Sequence, residues 1–455
     1  MRVRIQPHQF SGTVRIPASK SHTIRQLLIA SLADGVSEIQ YPLDSLDARS
    51  CVNACSVFGA EVTEVRAYND CPNPADENGK KLTAWRITGN NNFKKQNSSH
   101  NRCVDVGNSG TTLYLALAIA GLQNERIEFT GDEQIKKRGA APLLDALTCL
   151  GVKTSSNSGC APITVKGPWK GGKTSISCPT SQYLSALLIA APLADSGVIS
   201  EIEVPLLNEK PYIKMTLSYL NKQNIPYTIT PDIDADNWKG HLLIPGGASW
   251  KTFSRSVPGD FSSAAFPACA AAISGGSVTL LGLDPLDTQG DKFFFDMLNQ
   301  MACDISWTNS ASGKAVKVSR ETALRGGVFD LNATPDLLPA AAVTAAFAEG
   351  DTTLTNIAHA RIKETDRISV MVKELAVLGV KCTELDDGLI IHGSGGHFNQ
   401  QEKTIINGHG DHRIVMAFAA AALGCKYPIE ITSAESAAVT YPGFLELLSP
   451  EFFRD

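Results

Sequence analysis

The sequence predicts an α/β protein of two domains, assembled from six copies of one strand–helix–strand–helix–strand unit. Three observations carry this prediction. A short polar knot opening an Ala/Leu-rich run that closes at or near a glycine occurs six times. The copies are SKSHTIRQLLIASLADG from Ser19, NSGTTLYLALAIAG from Asn108, TSQYLSALLIAAPLADSG from Thr180, DFSSAAFPACAAAISGG from Asp260, PDLLPAAAVTAAFAEG from Pro335 and GDHRIVMAFAAAALG from Gly410. They start roughly every 70 to 90 residues, as repeated supersecondary units do. A second pattern of helix, turn and strand interleaves with the first: CVNACSVFGAEVTEV, LLDALTCLGVKTSS, MTLSYLNKQNIPYTIT, FFDMLNQMACDISWT and VMVKELAVLGVKCTEL. Finally, 455 residues exceed one ordinary hydrophobic core, so two domains are the natural division.

The elements follow in order. Met1 to Ile16 alternates in VRIQ and TVRI, which predicts strand. Each Ala/Leu-rich run has a polar start, a long apolar body and a glycine stop, so each predicts a buried helix. The last helix, YPGFLELL from Tyr441, belongs to a sixth copy whose strand comes from elsewhere, and Met1–Ile16 is the candidate. Both termini then share a domain. Linkers are expected near residues 17–19 and in the Gly/Pro-marked stretch 245–260, giving domains 1–18 plus 257–455 and 19–256. YNDCPNPADENGKK from Tyr68 and NNNFKKQNSSHN from Asn90 predict exposed excursions with no assigned chemistry.

Composition excludes several classes. Hydrophobic content of 43% and charged content of 19% describe a globular chain. The net charge of −5 offers no general field for nucleic acid, so an anionic ligand must be held by local cations. Eleven scattered cysteines without a CxxC predict core thiols in a reducing compartment. The N-terminus has no apolar signal region, and no apolar run reaches the ~18 residues of a membrane span. A soluble, cytoplasmic protein is expected.

The helix starts carry the chemistry. Unpaired N–H groups and the positive dipole end favour anions there, and Lys20, Ser21, Asn108, Thr111, Ser181, Gln182, His412 and Arg413 stand at such starts. Lys20 and Arg25 flank one start as an anion site, against the plainer reading of a capping serine with two solvated cations. In RIKETDR, Lys363 and Arg367 fall on one helical face at i,i+4 while Glu364 faces elsewhere; a solubilising charge pair is the plain alternative. In GHGDHR, Arg413 suits an anion grip with His412 as acid or base, and a metal is disfavoured because no second ligand cluster has the right spacing. Residues 167–174, GPWKGGKT, match the pattern of a nucleotide-binding loop but lead into alternating TSISCP, which predicts a hairpin-like turn between strands.

PASKSHTIR, GNSGTT, GDEQIKKR, TSQYLSALL, NEKPYIKMTL, PGDFSS, QGD, TPD, KETDR and GDHR, in this order, resemble the enolpyruvyl transferase family, on its shikimate-3-phosphate side. The branch acting on UDP-N-acetylglucosamine shares the fold but not this motif set. The resemblance implies two domains of three βαβαββ repeats each, closing over substrates in an interdomain cleft. It implies no metal and no cofactor, small-molecule substrates only, no membrane or nucleic-acid partner, and a monomer. The implied shikimate-3-phosphate site is Lys20, Ser21, Arg25, Thr180, Ser181, Gln182, Asp336, His359 and Lys363. Phosphoenolpyruvate is implied to meet Lys20, Asn108, Gly110, Arg138, Gln182, Arg367 and Arg413. In the implied addition–elimination, Asp336 orients or deprotonates the attacking hydroxyl and Glu364 exchanges the proton at C3. Lys20 assists the leaving side and His412 supports Glu364.

The chain departs from the family pattern at several positions. Thr180 replaces a usual serine and His359 a common asparagine. Tyr114 and Val439 stand where an arginine and a lysine are usual, and Glu209 where serine commonly assists the substrate phosphate. Lys136 and Lys137, or pairing of Glu209 with Lys210 or Lys214, are the available compensations. Weak phosphoenolpyruvate affinity and poor inhibition by glyphosate are expected. A paralogue using another anionic acceptor or donor, or a non-catalytic binding protein, is the alternative.

Overall fold

The computed structural model describes residues 1–90, 102–235, 238–310, 313–449 and 453–454. The excursion from Asn90 lies outside the described residues except for Asn90 itself. The chain forms two compact units, Lys20–Val257 and Met1–Ser19 with Pro258–Asp455.

Lys20–Val257 carries α1 (Lys20–Leu32), α2 (Leu46–Val57), α3 (Gly110–Ala120), α4 (Ala141–Cys149), α5 (Gln182–Ala190) and α6 (Lys210–Lys222). The other unit carries α7 (Phe261–Ser274), α8 (Phe293–Gln300), α9 (Leu338–Ala346), α10 (Arg367–Leu378), α11 (His412–Gly424) and α12 (Phe444–Leu448). Each unit has three four-stranded sheets of one design. In the sheet Arg102–Asp105, Ile127–Thr130, Cys160–Lys166, Lys153–Asn157, the first pair is parallel and the rest antiparallel. A parallel pair needs a crossover, and here α3 makes it; the antiparallel end closes with a tight turn at Ser158–Gly159. The repeat is therefore βαβαββ, six times over.

Three copies draw a strand from afar. Gly12–Arg15 pairs in parallel with Ser277–Leu281 and opens the first copy of its own unit. Ser254–Ser256 pairs in parallel with Gly35–Gln40, so the stretch expected as a linker contains a strand. The sixth sheet takes Arg2–Ile5 beside Ile429–Thr432, as the N-terminal alternation suggests, and Phe453–Arg454 adds its edge. TVRI thus serves a different sheet from VRI. Residues 167–174 do not form a hairpin: Cys160–Lys166 and Gly172–Cys178 belong to different sheets. Buried Trp169 anchors this connection by donating Nε1–H to Ser200 Oγ at 2.9 Å, and it leads directly into a strand, not a helix.

The runs that open each copy are buried on every side; all eleven residues of α3 are enclosed. Close packing explains a recurrent glycine. Gly89 and Gly393 end the fourth strand of their copies, where a Cβ would strike carbonyls at the end of α1 or α9. Among the described residues no helix is long and apolar enough to cross a membrane.

Candidate active-site residues

In Lys20–Val257, α1 starts at Lys20, whose Nζ lies 3.0 Å from Asp47 Oδ2 in the first turn of α2. One turn on, Arg25 is fully enclosed, only 1% exposed. It donates to Thr216 Oγ1 (2.9 Å), Ser21 O and Ser185 Oγ (both 3.1 Å) and Tyr212 O (3.4 Å). These acceptors are neutral. Burial accordingly lowers the Arg25 pKa to about 10, against the opposing fields of Tyr219, Tyr212 and Glu209. A buried cation held by neutral dipoles gains from an incoming anion. Tyr212, Thr216 and Tyr219 fall at i, i+4 and i+7 of α6, one helical face, and Tyr219 meets His22 Nδ1 at 2.7 Å.

Thr180 and Ser181 precede α5, and Glu209 engages both. Lys210 donates to Ala235 O, and Lys214 meets Asp234. The buried Glu209 carboxylate accepts from Thr180 Oγ1 (3.1 Å), Ser181 N (3.0 Å) and Ser181 Oγ (2.8 Å). An anion at the N-terminus of α5 suits the helix dipole. Glu209 reaches it with left-handed backbone, φ 57°. Gln182 begins α5 and is half-buried.

At α3, Asn108 Nδ2 donates to Asp132 Oδ2 (2.5 Å) and Gln134 Oε1 (2.9 Å), tying the helix start to the loop that carries Arg138. Gly110 opens α3, and a Cβ there would collide with the Arg138 guanidinium. Gly110→Ala is therefore expected to push Arg138 aside; on the implied role of Arg138 at the donor site, the KM for the donor should rise more than that for the acceptor, as steady-state kinetics would read. Lys136 pairs with Glu133 at the surface (2.8 Å), so it does not take the place of a cation at position 114.

In the other unit, five predicted residues converge. Arg367, with no exposed surface, donates Nε–H to Asp411 Oδ2 (2.8 Å), and one NH group to Asp336 Oδ1 (2.7 Å). Its other NH group meets Glu364 Oε2 (2.5 Å) and Asp411 Oδ1 (3.2 Å). Arg413 grips the second oxygen of Asp336 at 2.9 Å. Burial alone pushes the Asp336 pKa up, but Arg413, Lys363 and Arg367 outweigh it and hold the carboxyl well below the usual range. Burial likewise lowers the Arg367 pKa, and Asp411, Glu364 and Asp336 reverse the effect and raise it.

The expected helical face in RIKETDR is not formed. Ala358–Ile362 is a 3-10 turn, and Asp366 caps α10 by accepting from Ser369 N at 3.1 Å, so the helix begins at Arg367. Lys363 and Glu364 are left in the preceding loop, which lets Glu364 turn onto Arg367 instead of away. His359 is buried beside Asn332 O (3.1 Å). His412 opens α11 with Nδ1 4.0 Å from Asp411 Oδ1. Val439 ends a 3-10 turn, half-buried.

Sequence reasoning missed Asp47, Tyr212, Thr216, Asp260, Asp291 and Asp411. The signal for Asp260 and Asp411 was present, since each is an aspartate just before an apolar run and each caps its helix. Asp291, in QGD, is buried and accepts from the Ser262 hydroxyl. Burial first, then Asp336, pushes its pKa up to about 7 from 3.8. The folded chain thus keeps a proton that the unfolded chain loses, so this group costs stability as pH rises from about 4 to about 7. Asp291→Asn removes that cost. Melting curves should show the variant gaining on the parent between about pH 4 and about pH 7.

A family model described as EPSP synthase (3-phosphoshikimate 1-carboxyvinyltransferase) matches residues 5–448. A protein of Ruminiclostridium cellulolyticum named 3-phosphoshikimate 1-carboxyvinyltransferase is 41% identical over 98% of this chain and 97% of its own. A namesake from Acetivibrio thermocellus is 42% identical over 99% and 98%, and one from the archaeon Methanothermobacter thermautotrophicus 37% over 96% and 94%. The solved EPSP synthase of Acinetobacter baumannii superposes with a TM-score of 0.77 at 26% identity, covering both chains fully. With the motifs in order along the whole length and the same fold, this chain belongs to the EPSP synthase (3-phosphoshikimate 1-carboxyvinyltransferase) family.

Proposed function

We propose that the chain transfers the carboxyvinyl group of phosphoenolpyruvate to the 5-hydroxyl of shikimate-3-phosphate and releases phosphate. The observation that carries the assignment of roles is the pairing of Asp336 with both Arg367 and Arg413, and of Glu364 with Arg367. Two potential acid–base groups thereby share the arginines that suit a substrate carboxylate. The carboxylate of phosphoenolpyruvate competes for Arg367 and Arg413. Once it takes them, Asp336 loses the cations that depress its basicity and is able to accept the proton of the attacking hydroxyl. Glu364, released from Arg367 by the same exchange, takes a proton from solvent and gives it to C3 as that oxygen bonds to C2. Glu364 then recovers a proton from C3 as the C2–O bond to phosphate breaks, and the proton held by Asp336 leaves with the phosphate, so the vinyl group is restored.

Arg25, Ser21, Lys20, Thr180, Ser181 and Gln182 serve the acceptor in this reading, together with His359 and Lys363. Asn108, Gly110 and Arg138 serve the donor, with Lys20 on its leaving side and His412 behind Glu364. With Val439 in place of a lysine, phosphoenolpyruvate binds weakly, and glyphosate inhibits only above the low-micromolar range. The test is incubation with both substrates while following phosphate release and product mass. A carboxyvinyl adduct formed one-for-one with phosphate is expected. Acceptor binding without an adduct would instead favour a paralogue with another donor.

A further inference from the structure

Tyr114 stands where a cation is usual in the family, yet its side chain does other work. Its hydroxyl donates to the carbonyl of Gly139 at 3.1 Å, and the hydroxyl of Tyr183 donates to the same carbonyl at 2.7 Å. Tyr114 lies on α3 and Tyr183 on α5; their rings meet edge to face, centroids 5.0 Å apart and planes at 88°. Both are buried, 6% and 4% exposed. Burial, then Tyr114, pushes the Tyr183 phenol far above its ordinary pKa, so it stays a donor.

Gly139 directly follows Arg138, the residue whose guanidinium lies against Gly110 at the start of α3. The backbone on either side is also fixed: Arg138 N donates to Ile135 O at 3.0 Å, and Ala140 N to Gly159 O at 2.8 Å. Two side chains from two core helices thus converge on the peptide oxygen of Gly139, an exposed residue of the loop. A carbonyl has two lone pairs, and this one uses both for a clasp.

We propose that Tyr114 and Tyr183 are positioning residues that clasp the Gly139 carbonyl and so hold Arg138 where it grips the anionic donor. This rests on the reading of Arg138 as a phosphoenolpyruvate ligand. The tyrosine is then not simply a lost cation: it fixes the remaining arginine rather than adding a second.

The test is steady-state kinetics on the full chain for Tyr114→Phe with Tyr183→Phe, Arg138→Gln, the triple combination, and Tyr114→Arg. Phenylalanine keeps the ring packing and removes only the two hydroxyls, and melting curves check that the fold persists. Two half-buried hydrogen bonds are worth about five- to tenfold between them in placing one group. The tyrosine pair should raise the KM for phosphoenolpyruvate by that factor with the KM for shikimate-3-phosphate unchanged. Arg138→Gln should raise it further, and the triple combination should match Arg138→Gln alone. Tyr114→Arg should also weaken donor binding. If Arg138→Gln weakens the donor but the tyrosine pair does not, or if Tyr114→Arg tightens it, the clasp is overturned while the donor site stands. If Arg138→Gln leaves the donor KM unchanged, the donor-site reading fails and takes the clasp with it.

Discussion

Replacing Arg367 with methionine should destabilise its unit by about 3–5 kcal/mol, the usual cost of stripping one partner from a buried ionic cluster. Arg367 is fully enclosed and bonds to Asp336, Glu364 and Asp411 at once. Without it, three carboxylates face a field carried mainly by Arg413 and Lys363. The loss depends on pH. For Asp411 burial acts upward, but Arg367 and other contributions bring it below its ordinary value, as happens with Asp336. Groups depressed in this way stabilise above their unfolded pKa, near 4, and lose that contribution as pH falls through the folded value. The gap between parent and variant should therefore be widest at neutral pH and narrow below about pH 4. Turnover should disappear with it, because on the proposed reading the donor carboxylate loses its buried partner. Melting curves across pH, paired with activity at neutral pH, check both statements.

Glu209→Ser is expected to act in two opposite directions. The Glu209 carboxylate now takes the hydroxyls of Thr180 and Ser181 and the Ser181 N–H. These are donors that the proposed acceptor phosphate needs, and a buried like charge beside them opposes it. Serine should lower the KM for shikimate-3-phosphate by at least about tenfold, since like-charge juxtaposition costs several kcal/mol. It should also lower thermal stability, because the start of α5 loses its anion and the left-handed backbone at position 209 remains. Calorimetric titration and melting of the same variant separate the two effects. An unchanged acceptor affinity would mean that phosphate is read by groups other than Thr180 and Ser181.

Much of the fold was legible because the repeat is written twice, once in the buried helices and once in the amphipathic ones. The alternation of VRI also announced a strand. What it did not announce was that VRI and TVRI enter different sheets, since that choice depends on partners more than 250 residues away. In RIKETDR two signals compete: Asp366 before ISVMVKEL is a helix-start residue, and its cap prevails over the i,i+4 spacing of Lys363 and Arg367. Glu209 and Tyr114 were identified only as departures from a pattern. Glu209 caps a helix 28 residues earlier, and Tyr114 meets Tyr183 over a third residue's carbonyl. Neither contact leaves any periodicity in the chain. Residue types at helix starts point to anion chemistry, whereas the satisfaction of each polar group depends on tertiary neighbours.

The central claim is that Glu364, held by Arg367, moves the proton at C3 during carboxyvinyl transfer. Its most direct measurement is single-turnover formation of the carboxyvinyl adduct by Glu364→Gln beside the parent chain, with shikimate-3-phosphate binding followed by calorimetry. The expected result is intact acceptor binding with the transfer rate reduced by at least about a hundredfold, the lower range for removing a general acid–base group. Transfer by Glu364→Gln at the parent rate would contradict the account.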